Sequence, residues 1–99
     1  MEDTRLYIFA RFHALDGHER DVAEALREEV PLARSEAGCV SIDAFQANYD
    51  PHLFFIHSCW KDEPAFETHA KMPHTMRFLE RVSAAIDHPL EVTRTRILD

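Results

Sequence analysis

Glycine is nearly absent, with two residues in 99, and only five prolines accompany it. A chain so poor in both has no flexible linker and no low-complexity tail, so residues 1–99 are expected to form one domain. Basic residues are outnumbered, 11 against 18 acidic, and nowhere form a run. The net charge of −7 works against phosphate neutralisation, so neither nucleic acid nor an anionic membrane surface is an expected partner. No apolar run is long enough for a membrane span. The opening Met1–Phe9 is acidic and then apolar for only four residues, which gives no export signal and an expected cytoplasmic location. In a reducing compartment Cys39 and Cys59 are expected to be buried free thiols, not a disulfide. No HxH, HExxH or CxxC spacing occurs, and His69 and His74 are five apart across a proline, so no metal site is expected. Nor is there a glycine-rich phosphate loop or a local nucleophile–histidine arrangement.

What the chain does have is clear periodicity. Leu6 to Ala14 reads as a strand, with Leu6, Ile8, Ala10 and Phe12 on one face and Tyr7, Phe9, Arg11 and His13 on the other. Asp16-Gly17 breaks it. His18 to Ala37 then shows helical spacing, with Val22, Leu26, Val30, Ala33 and Ala37 on the apolar stripe and Glu, Asp and Arg opposite. Pro31 should kink this helix, and Gly38 stands where a left-handed cap would end it. Cys39 to Ala47 and His52 to Trp60 alternate as two strands, joined through the turn residues Asn48 to Pro51. Asp62 is a helix N-cap with Pro64 in the first turn, and Met72-Pro73 interrupts the helical pattern. A second piece, His74 to Ile86, carries Met76, Leu79, Val82 and Ile86, and Leu90 to Leu98 is the last strand.

Strand, helix, strand, strand, broken helix, strand is the β-α-β-β-α-β order of a ferredoxin-like α+β fold, with an antiparallel sheet and its helices on one face. The opposite face, with Tyr7 and Phe9, has no helix left to cover it. A second copy is therefore expected there, giving a homodimer.

Trp60 to His69 followed by Met72-Pro73-His74 resembles the signature of antibiotic biosynthesis monooxygenase domains. Ala10 to Ala14 leading to Asp16-Gly17-His18, Glu36 to Cys39, and Arg96 to Leu98 also fit, and the likeness is greatest to the quinol monooxygenase branch. The resemblance implies a dimeric α+β barrel that oxidises phenolic or quinol substrates with O2 and without metal or flavin. In polyketide-oxidising members a tryptophan at the place of Trp60 lines the pocket, with asparagine and tyrosine where this chain has Ile56 and Phe66. Many relatives carry glutamate where Ser58 stands. Haem degraders have other residues at the positions of Leu79, His69 and Ala10, so haem is not implied.

Among individual residues, His69 is the candidate catalytic base, because imidazole titrates near neutrality and can take a phenolic proton. Trp60, Phe66, Ile56, Phe12 and His74 are the candidate substrate-binding residues, with core packing as the other role open to Trp60 and surface capping as that open to His74. The expected function is a cofactor-independent, O2-dependent monooxygenase of a small phenol or quinol. An isomerase or decarboxylase on the same fold, and a non-catalytic dimeric binding module, are the alternatives.

Overall fold

Strand alternation decides the layering. In the computed structural model, which describes residues 3–98, β1 (Leu6–His13) buries Ile8, Ala10 and Phe12 and leaves Phe9 and Arg11 exposed. α1 (Glu19–Arg34), β2 (Cys39–Gln46), β3 (Leu53–Trp60), α2 (Glu63–Ala70), α3 (Pro73–Ser83) and β4 (Glu91–Thr95) follow. The sheet order is β2-β3-β1-β4 with every neighbour antiparallel, which is the ferredoxin-like arrangement expected from the element order. Direct partners such as Phe9 with His57 and Ala10 with Ile56 keep the two faces in step across β1 and β3.

The helices cover one face. Ile8, Ala10, Phe12, Ile42, Phe54, Ile56 and Trp60 meet Val22, Leu26, Ala33, Phe78 and Val82 in one core. Trp60, Phe12, Val22 and Val82 are the largest fully buried side chains, each contributing about 1.5–3 kcal/mol of hydrophobic burial. Asp62 caps α2, its Oδ1 accepting from the Ala65 amide at 2.8 Å. The break at Met72-Pro73 lies where expected, and Pro73 opens α3.

Several expectations are corrected. α1 runs through Pro31 to Arg34 before Ser35 caps it, so Ala37 lies outside the helix. Gly38 is not a left-handed cap; the positive-φ residue among those described is Gly17, at 85°. Gly38 is needed for close approach instead, because a Cβ there would stand 2.5 Å from the Ala65 Cβ. On α3 the buried stripe is Thr75, Phe78 and Val82, and Met76 is exposed. Both cysteines are free, but only Cys59 is fully buried; Cys39 is half-buried. Val40 is exposed and lies at a register shift between Cys39 and Ser41. No described helix is long and apolar enough to cross a membrane.

Candidate active site

Between the sheet and the α2–α3 pair lies a cavity of about 220 Å³. Its walls are mostly apolar: Ile8, Ala10 and Phe12 from β1, Ile42 and Ile56 from the neighbouring strands, and Phe66, Phe78 and Leu79 from the helices. Val92, half-exposed on β4, marks its edge toward solvent. The polar side chains lining it are Glu29, Ser58, His69 and Thr75. Four polar groups in an apolar chamber orient a ligand without filling the space with water.

His69 is the best placed of these. Its side chain is 12% exposed, and its ring stacks on Trp60 with centroids 4.4 Å apart. Its Nδ1 lies 2.6 Å from Oε2 of Glu36, which follows the end of α1. A carboxylate only accepts, so Nδ1 carries a proton, and in the neutral ring Nε2 keeps the lone pair. That is how a carboxylate fixes the tautomer of a histidine base. Thr75 Oγ1 lies 3.4 Å from the same Nδ1.

The network continues. His74 Nε2 is 3.0 Å from the same Glu36 oxygen, and His74 Nδ1 is 2.8 Å from Oε1 of Glu29. Both ring nitrogens of His74 therefore face carboxyl oxygens, and a proton must be shared among His74 and the two glutamates. Glu29 is 4% exposed, and its Oε2 is buried with no hydrogen-bond partner among the described residues. Burying two carboxyl groups away from water is costly unless they are paired, and here their recorded hydrogen bonds go to imidazoles.

Of the residues singled out in the sequence, His69, Phe66, Ile56 and Phe12 do meet at this cavity. Trp60 and His74 do not line it. Trp60 is completely buried behind His69, with its Nε1–H donating to Ser58 Oγ at 3.1 Å, so it backs the histidine and is not a wall. His74 neither caps α3 nor shapes the cavity mouth. It lies on the far side of Glu29, in a groove with Leu32, Arg77 and Arg81. The spacing argument against a His69–His74 pair also fails, because the turn at Met72 brings the two rings within 5.8 Å. Glu29 and Glu36 were missed. Glu29 was counted on the polar side of α1, yet it falls in the buried series Val22, Ala25, Leu26, Glu29, Ala33. An acid interrupting an apolar stripe was the available signal; Glu36, in a loop, offered none of that kind.

With this geometry in view, known proteins become informative. The family model for antibiotic biosynthesis monooxygenase matches residues 5–81. The chain belongs to that family. Over 68 residues it is 29% identical to the Bacillus subtilis protein named "Putative monooxygenase YcnE", covering 69% of this chain and 72% of that one. PA3566 from Pseudomonas aeruginosa is 31% identical, superimposes with a TM-score of 0.90, and is covered to 96% by 97% of this chain. Rv0793 from Mycobacterium tuberculosis, at 21% identity, has the same TM-score of 0.90 with 96% of each chain covered, which speaks for fold alone. Ile56, Ser58 and Phe66 all lie on the cavity wall.

Proposed function

We propose that the chain is a cofactor-independent, O2-dependent monooxygenase that oxidises a small phenol- or quinol-type aromatic. The observation that carries this reading is a histidine oriented by a buried carboxylate at the wall of an apolar cavity. His69 Nε2 takes the phenolic proton, and Glu36 steadies the resulting imidazolium. The phenolate is then an electron donor to O2 in a site where water is scarce. Size narrows the substrate. A dry cavity of roughly 150 Å³ admits benzene, so about 220 Å³ suits one ring with small substituents. Ser58 and Thr75 are the hydroxyls within reach of those substituents.

The second element of the proposal is a homodimer. Phe9 and Phe45, each 52% exposed, and Phe55 lie on the uncovered sheet face. Their apolar area is of the kind a second copy buries.

Replacement of His69 by alanine tests the chemistry. Oxygen uptake with a one-ring quinol is expected to fall by ~10²–10⁴-fold, with partial return at high pH where the substrate hydroxyl ionises unaided. Equal turnover under argon and air would point to an isomerase or decarboxylase instead. Near wild-type oxygen uptake by the folded variant would remove His69 from the role.

A further inference from the structure

We propose that Glu29, His69 and His74 form a binding site for one divalent transition-metal ion, with Glu36 holding the two imidazoles in place. One ligand atom from each of the three residues lies within 4.8 Å of the others, although they come from α1, α2 and α3. Metal–nitrogen and metal–oxygen bonds of about 2.1 Å need donors somewhat closer than that, so small side-chain rotations would complete the site. Two imidazoles and one carboxylate form a donor set that zinc, iron, cobalt and nickel accept.

Three further observations point to a cation and not merely to a hydrogen-bonded cluster. The first is the Oε2 of Glu29, a buried carboxyl oxygen that the described residues leave without a hydrogen-bond partner. The second is charge. Glu29 and Glu36 bring two buried carboxyl groups together, and their recorded partners are histidines, not lysine or arginine. A dication would balance both. The third is the direction of the Glu36 contacts. Glu36 Oε2 lies 2.6 Å from Nδ1 of His69 and 3.0 Å from Nε2 of His74, which turns Nε2 of His69 away from it and leaves Nδ1 of His74 facing Oε1 of Glu29, the third ligand. Metal-ligating histidines usually donate their other N–H to a carboxylate in this way, which fixes the tautomer and raises ligand basicity. Glu29 and His69 also line the apolar cavity, so an ion held there is open to a small ligand entering from it.

The inference is independent of the oxygenase reading, and it limits it. The nitrogen of His69 that would hold the ion is the one that would take the substrate proton. The metal-bound and base-competent states therefore exclude one another.

The test is a zinc titration of chelator-treated, substrate-free wild-type protein, followed by calorimetry and by NMR of the histidine ring nitrogens. One equivalent per chain should bind saturably, shifting the His69 and His74 signals before those of His13, His52 or His88. Glu29→Gln and His74→Ala should each weaken binding by at least about tenfold. Absence of saturable binding overturns the proposal. So do shifts confined to His52, which belongs to a second, exposed group with Asp16 and Glu19, and so does wild-type affinity in folded Glu29→Gln. The NMR measurement needs no variant, so a misfolded substitution leaves the answer intact. Oxygen uptake by the chelator-treated protein examines the monooxygenase reading separately.

Discussion

The two faces of this sheet are made from the same strands, and each carries a cluster of histidines and acids. On the helix side, His69 and His74 sit with Glu29 and Glu36, side chains 4–13% exposed and linked by bonds of 2.6–3.0 Å. At the end of the outer face, His13, His52 and His88 gather with Asp16, Glu19, Asp50 and Asp87, and their side chains are about a third exposed or more. The rings of His13 and His52 even stack, 5.6 Å apart. The inventories match in type; solvent separates them. A buried pair that loses one member strands a charge, whereas an exposed pair is screened and replaced by water. Histidine count alone therefore says little. The surroundings decide which cluster can do chemistry.

The largest expected effect comes from breaking the inner cluster at its hub. Glu36→Gln removes the carboxylate that accepts from both His69 and His74. Each charge-assisted bond is worth about 1.5–3 kcal/mol, so a stability loss of roughly 2–4 kcal/mol is expected from denaturant unfolding. Turnover should also fall by ~10²-fold or more, because an amide can donate to Nδ1 and stabilise the wrong tautomer. A merely structural Glu36 would leave the pH profile of the residual activity unchanged; a tautomer-holding one would shift its acid limb. Wild-type turnover with an unchanged profile would separate His69 from Glu36.

How much of this contrast the sequence disclosed depends on the kind of signal. Alternation and helical spacing reported each element and the bare outer face, since both periods are local properties of consecutive residues. His69, Phe66, Ile56 and Phe12, singled out from their faces and from the family resemblance together, line one cavity. Trp60 was a candidate for the wall through the family resemblance, with core packing as its other reading, and packing is what the structure shows: with His69 stacked over it, Trp60 is sealed off. Glu36 reaches His69 across 33 positions, and no local period encodes such a contact. The same is true of His74, whose partner Glu29 lies 45 positions away.

Next in size is the outer face itself. Phe9→Asp places a carboxylate in the middle of the exposed aromatic patch, beside His57, whose ring centroid lies 4.8 Å from that of Phe9. If a second copy covers this face, the dimer should weaken by about 30-fold or more, a loss of roughly 2 kcal/mol. Sedimentation should then shift from twice the chain mass toward 11.5 kDa at low micromolar concentration. A wild-type protein that is already monomeric there would remove the dimer from the proposal. A variant that stays dimeric would move the contact elsewhere. The cavity lies on the other side of the sheet, so proton abstraction by His69 should survive in the variant.

The smallest expected effect concerns the exposed histidines, and it sharpens the comparison by its weakness. His52 has its pKa raised above the ordinary 6.5, chiefly by the hydrogen bond with Asp16, against a smaller lowering by desolvation and with further help from Asp50. A raised folded-state pKa means the charged form is favoured by folding. The contribution is fully present below about pH 6.5 and fades as pH rises through the higher folded value. Asp50 and Asp87 run the other way. His52 and His13 respectively hold their pKa values below the ordinary 3.8, so their contribution is present above that value and is lost as pH falls through the lowered one. Replacing His52 by glutamine should therefore lower the melting temperature only slightly, with the difference from wild type greatest between about pH 4 and 6.5 and gone in alkaline solution. Added salt should shrink it further, because Asp16 is fully exposed. A thermal scan across pH in low and high salt measures this directly. A loss as large as that of Glu36→Gln, or one that survives high salt, would mean the outer cluster is shielded in solution. In that case the subunit seated on Phe9 extends over His52 as well.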